Sequence, residues 1–188
     1  MVIVLNKNKI MRFLGVYILL AIVALLLIEP VMKAIYPLKY EEAIARYSEQ
    51  YNIDPYLVMG IISAESRFEE NAVSHKDAKG LMQLKEETAK WCVEKFDIDA
   101  KHKKIYEPDT NIMIGCSYLS YLIDLFDGYV PTAVAAYNAG QGNVGEWLKD
   151  KECSSDGVTL NKIPFPETDT YVEKVLKRQK IYKKLYQD

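Results

Sequence analysis

The sequence is poor in the residues that build metal and disulfide sites. Three cysteines, Cys92, Cys116 and Cys153, leave an odd count, no CxxC occurs, and His75 and His102 show no ligand spacing. That pattern excludes a zinc site of the usual kinds, and no cofactor is expected. Cys92 and Cys116 fall in apolar helical patterns, which predicts buried thiols; a bridge between them is the alternative in an extracytoplasmic domain. A net charge of −2 and the lack of a basic stripe exclude a nucleic-acid partner. No stretch alternates apolar and polar residues over more than a few positions, so a sheet domain is not expected. There is no internal repeat and no low-complexity stretch.

Against these absences stand one long apolar run and an excess of tyrosine. The 188 residues suffice for one domain with its own core beside an N-terminal segment. Phe13 to Ile28 form sixteen residues without a charge. They span about 24 Å as a helix, and the flanking residues bring this close to the roughly 30 Å of a bilayer core. Lys7, Lys9 and Arg12 precede the run, which puts the N-terminus in the cytoplasm and the bulk of the chain outside. The run ends in Leu-Leu-Leu-Ile-Glu-Pro without a small-residue cleavage site, and no cysteine follows. An uncleaved signal anchor is therefore expected rather than a signal peptide. The expected organisation is a basic cytoplasmic segment at 1–12, a membrane anchor at 13–32, a linker at 33–39 and a catalytic domain at 40–188. Fourteen tyrosines against five phenylalanines favour surfaces that are apolar in the ring and polar at the tip.

From Tyr40 onward the signals are helical. Glu41 to Tyr51 is amphipathic. Asp54-Pro55 reads as an N-cap followed by proline at the first helical position. Leu57, Val58, Ile61 and Ile62 then follow at helical spacing. Further helices are expected over 85–96, from an Asp109 cap through Phe126, from Pro131 to Gly140, over 143–149 and over 168–186. Residues 69–84 could hold a small β-hairpin. The fold class is mainly α with at most a minor β element.

Glu65 is the first carboxylate of chemical interest. It closes the Pro55 helix, and Ile61 and Ile62 lie one turn back, so its face is largely apolar. Apolar surroundings disfavour the charged carboxylate and raise its pKa, as a general acid near neutral pH requires. The alternative at this point is a carboxylate that caps its helix or faces water.

Four segments then carry a resemblance. Ala64-Glu65-Ser66-Arg67-Phe68, Gly80-Leu81-Met82-Gln83-Leu84, Ala136-Tyr137-Asn138-Ala139-Gly140, and Glu167-Thr168 followed by Tyr171-Val172 occur in the order and spacing of the soluble lytic transglycosylases. Asn71 to Ser74, and Asn111-Ile112 ahead of Gly115 and Tyr118-Leu119, add to it. The resemblance covers roughly residues 40–180 and implies a lysozyme-like domain of the goose type. It implies cleavage of the MurNAc–GlcNAc β-1,4 bond of peptidoglycan without water, leaving 1,6-anhydromuramic ends. Glu65 would be the sole acid/base. Ser66 would orient it or bind substrate, and Met82 and Gln83 would line the cleft. Tyr137 would place its hydroxyl near Glu65, Asn138 would meet an N-acetyl or hydroxyl group, and Tyr171 would complete the pocket. Asp169 departs from the arginine often found there, and Lys85-Glu86-Glu87 replaces a proline-containing turn. Two alternatives remain at this stage: a goose-type hydrolase, which needs a second carboxylate, and an idle wall-binding tether. The implied partners are glycan strands, the membrane through the N-terminal helix, and an unspecified envelope complex.

Overall fold

The computed structural model describes residues 7–99 and 104–187, with side chains from residue 11 onward. His102 and the first six residues of the expected cytoplasmic segment lie outside the described residues. The chain divides into two compact units, residues 1–38 and 39–188.

The first unit is one helix, α1 (Lys7–Ile35), which holds Pro30 inside it. A proline removes one backbone hydrogen bond and leaves the turns on either side intact. The helix therefore runs past residue 32 and takes up the first residues of the linker expected at 33–39. Met11–Ile35 is long and apolar enough to cross a membrane. Its 25 residues make a rod of about 37 Å, against about 30 Å of hydrocarbon. Phe13, Leu14 and Leu26 are all exposed.

The second unit holds α2 (Glu41–Gln50), α3 (Pro55–Glu65), α4 (Glu86–Lys95), α5 (Pro108–Leu125), α6 (Val130–Ala139), α7 (Gln141–Lys149) and α8 (Pro166–Tyr186). No strand occurs among the described residues. Where a hairpin was expected, Lys79 makes isolated bridges to Val73 and Leu84. The Gly80–Gln83 turn is too tight to let the pairing extend, with Gln83 N–H donating back to Gly80 O at 3.2 Å.

The centre of this unit is α3. Every residue from Leu57 to Ala64 is buried. A helix apolar on all sides belongs in the middle of a domain. Burying each of its Leu, Val, Ile and Met side chains is worth about 1.5–3 kcal/mol of transfer free energy. Asp54 caps its start by accepting from Tyr56 N–H at 2.9 Å. α8 runs antiparallel along it. Gly60 permits the close approach, since a Cβ there would meet Val175 O at 3.0 Å. Tyr56 Oη donates to Tyr186 O at 3.1 Å, and Gln179 Nε2 donates to Asp54 Oδ2 at 2.8 Å. α5 packs on α2, α4 and α6.

One expected cap is corrected. Asp109 lies inside the first turn of α5, because Pro108 takes the first helical position and Glu107 precedes it. The Asp109 carboxylate instead accepts from Tyr47 Oη at 2.7 Å and faces Arg46 at 3.4 Å. Cys92, Cys116 and Cys153 are all free, buried thiols, with no bridge between Cys92 and Cys116.

Candidate active site

Glu65 is the last residue of α3, so the most buried helix of the domain delivers it to the surface of a cleft. Its Oε1 accepts a hydrogen bond of 2.6 Å from Tyr171 Oη on α8. Burial pushes the Glu65 pKa above the ordinary carboxylate value. The Tyr171 hydrogen bond and the Lys174 ammonium pull it back, and the charge of Glu167 adds to the rise. The Tyr171 and Tyr137 hydroxyls are themselves held well above the ordinary tyrosine value, by burial first and then by the charge of Glu65. Both remain hydrogen-bond donors throughout the neutral range.

The cleft has a volume of about 720 Å³ and is lined by Glu65, Gln83, Tyr118, Tyr137, Asn138 and Glu167 among others. This is the size and mixed character of a small-ligand site. Tyr137, on α6, donates to Met82 O at 2.9 Å, and its ring lies against Tyr118 at 5.5 Å. Gln83 sits in a left-handed conformation, φ 49°, and its Nε2 donates to Ala72 O and Gly80 O at 3.0 and 2.9 Å. With both amide protons engaged, the carbonyl oxygen is what Gln83 offers a ligand. Asn138 Oδ1 accepts from Thr168 Oγ1 at 2.7 Å, which leaves the Asn138 amide nitrogen as the donor.

Of the expected site residues, Glu65, Gln83, Tyr137 and Asn138 line the cleft, and Tyr171 reaches Glu65 from α8. Ser66 and Met82 do not line it. Ser66 is buried, donates its hydroxyl to Ile62 O at 3.2 Å and accepts from Phe68 N–H at 3.1 Å. It shapes the exit from α3. Met82 is fully buried against Gly115, where any Cβ would overlap its sulfur. It serves the cleft through its carbonyl, which fixes Tyr137.

The family profile described as Transglycosylase SLT domain matches residues 42–157. The chain belongs to the SLT domain family. It is 37% identical over 151 residues to a soluble lytic murein transglycosylase of Salmonella typhimurium, covering 79% of this chain and 23% of the relative. It is 30% identical over 170 residues to the membrane-bound lytic murein transglycosylase C of Cronobacter sakazakii, covering 78% of this chain and 47% of that one. The 70 kDa soluble lytic transglycosylase of Escherichia coli superposes with a TM-score of 0.75 at 32% identity, over 84% of this chain and 26% of that structure. An inactive glutamate-to-glutamine mutant of the lytic transglycosylase Slt of Pseudomonas aeruginosa superposes with a TM-score of 0.70 at 34% identity, over 79% and 24%. The chain thus spans about a quarter of the first of these relatives and about half of the second. The mainly α, lysozyme-like fold is that of the SLT structures.

Three features of this SLT site carry no role in the sequence reading. Asn111, fully buried on α5, accepts from Met82 N–H at 2.7 Å and donates to Lys79 O and Ile105 O at 3.0 and 2.8 Å. It moulds the turn that presents Gln83, and Gly80 is required there because a Cβ would overlap its amide. Glu167 is a second cleft carboxylate, exposed and 3.6 Å from Lys76. Lys174 and Arg178 reach the end of α3 from α8. Their spacing from Tyr171, three and seven residues on, marks one helix face.

Proposed function

We propose that the chain is a peptidoglycan lytic transglycosylase that cleaves the MurNAc–GlcNAc β-1,4 bond without water. The observation that supports this best is the buried Glu65, raised in pKa, held by Tyr171 and open to the cleft. A protonated Glu65 donates to the glycosidic oxygen as the C–O bond breaks. The resulting carboxylate then takes the proton of the muramic 6-hydroxyl. That oxygen closes on C1 to give the 1,6-anhydro ring, with the N-acetyl group bearing charge between the two steps. The Glu65 proton is thus restored and no water is consumed. Gln83, Tyr137 and Asn138 hold the sugar, and Tyr171 keeps the carboxylate aimed. The lytic murein transglycosylases of Salmonella typhimurium and Cronobacter sakazakii described above support this reading.

A hydrolase is the second reading, because Glu167 is in the cleft and could activate water as the second carboxylate of an inverting pair. Its side chain is 74% exposed and lies beside Lys76, which suits a rim residue better than a base. Mass spectrometry of muropeptides released by the full chain decides. Anhydromuramic ends support the transglycosylase and reducing ends the hydrolase. Release by Glu65→Gln at the wild-type rate would overturn both.

We further propose that α1 spans the membrane once, with its basic N-terminal flank in the cytoplasm and the SLT domain outside. The apolar length of α1 and the membrane-bound relative support this. Protease added to intact cells should digest the domain and leave the N-terminal flank protected.

A further inference from the structure

α3 ends unusually for a helix that carries a reacting group. The common closure is a glycine in the left-handed conformation, whose backbone N–H satisfies the last carbonyls. Here Arg67 and Phe68 occupy that conformation in succession, φ 54° and 64°, and neither is glycine. Ile62 O is satisfied within the segment, by Ser66 N–H at 3.0 Å. The next two carbonyls are satisfied from α8, more than a hundred residues away. Arg178 Nη1 donates to Ser63 O and, at 2.9 Å, to Ser63 Oγ. Lys174 Nζ donates to Ala64 O at 2.8 Å, on the residue before Glu65.

We propose that Lys174 and Arg178 are positioning residues for Glu65, two cations that cap the last turn of α3 and hold the acid in register with Tyr171. The inference rests on the function proposed for Glu65 and deepens it. Two physical effects follow from the one geometry. The caps fix the backbone from which the carboxylate projects, where a misplacement of an ångström is costly to catalysis. They also set positive charge against the negative end of the α3 dipole, which would otherwise oppose the anion Glu65 becomes after giving up its proton. The charged or titratable groups facing Glu65 are Tyr171, Lys174 and Glu167 from α8 and Tyr137 from α6. Burial first, then the charges of Arg178 and Arg67, lower the pKa of Lys174, and Glu65 raises it. Lys174 is the cation that acts on Glu65, and its loss leaves burial and Glu167 less opposed.

The test uses the full chain in detergent micelles, as wild type, Lys174→Met, Lys174→Arg and Arg178→Met. Carbon-13 NMR of the Glu65 carboxyl is titrated in each, without substrate. A higher Glu65 titration midpoint in Lys174→Met, restored by Lys174→Arg, is expected. A midpoint unchanged in Lys174→Met overturns the inference whatever the activity. Kinetics on peptidoglycan form the second arm. Lys174→Met should lose kcat on the order of 10- to 100-fold with little change in KM, and its alkaline limb should move to higher pH. Arg178→Met should lose kcat without moving that limb. An equal loss in Lys174→Met and Lys174→Arg would also overturn the inference. Wild type that releases no anhydromuropeptides would overturn the reading of Glu65 as the acid, while the NMR arm still decides the role of Lys174.

Discussion

Glu65 ionises under opposing influences, and each can be removed singly. Glu65→Gln should lower muropeptide release by about 10²- to 10⁴-fold, the usual worth of a general acid. It should also stabilise the fold at neutral pH. A carboxyl whose folded pKa lies above its unfolded value costs stability as pH rises through the interval between the two, and the cost is full above it. The melting temperature of Glu65→Gln should therefore exceed wild type at pH 7 and match it near pH 4. Equal differences at both pH values would remove burial as the cause. Gly115 is a different kind of single-residue constraint. Any side chain there meets the buried Met82 sulfur, so Gly115→Ala should destabilise by about 1–3 kcal/mol in urea denaturation through overpacking.

At the scale of elements, the 79–84 turn and α5 form one unit joined by Asn111. Asn111→Ala would leave Met82 N–H and Ile105 O without their partner and take one of two donors from Lys79 O, at a cost of about 3 kcal/mol. Because this turn presents Gln83, KM for glycan should rise even in conditions where the variant is fully folded. Retained KM with reduced stability would show the turn to be independent of Asn111. Most helix positions were legible in the sequence, since Asp54-Pro55 and the 57–62 apolar pattern are local signals. Three expectations were displaced: α1 runs past residue 32 to Ile35, Pro108 displaced Asp109 from the cap of α5, and the hairpin over 69–84 is reduced to isolated bridges. The site was legible in part. Glu65, Gln83, Tyr137 and Asn138 reach the cleft through short-range motifs. Burial of Ser66 and Met82 depends on how α3 ends and on Gly115, which no local pattern conveys. Lys174 and Arg178 carry no local signal of their role, because their partners are backbone carbonyls over a hundred residues away.

At the scale of the whole molecule, the core lies within residues 44–182 among the described residues, and α1 belongs to a unit of its own. Removal of residues 1–38 should thus leave the melting temperature of the domain within about 1 °C of the full chain in micelles, read by circular dichroism, since surface and tail changes away from a core move stability little. A larger drop would show that α1 contributes to the domain.

The joining of α3 to α8 has a temporal consequence. Tyr171, Lys174 and Arg178 follow Glu65 by more than a hundred residues, so Glu65 leaves the ribosome well before its partners do. A nascent chain that lacks α8, or one clipped in the 151–165 loop that then sheds α8, carries Glu65 without Tyr171, Lys174 and Arg178. The surroundings of Glu65 are in this way completed only once α8 has docked on α3.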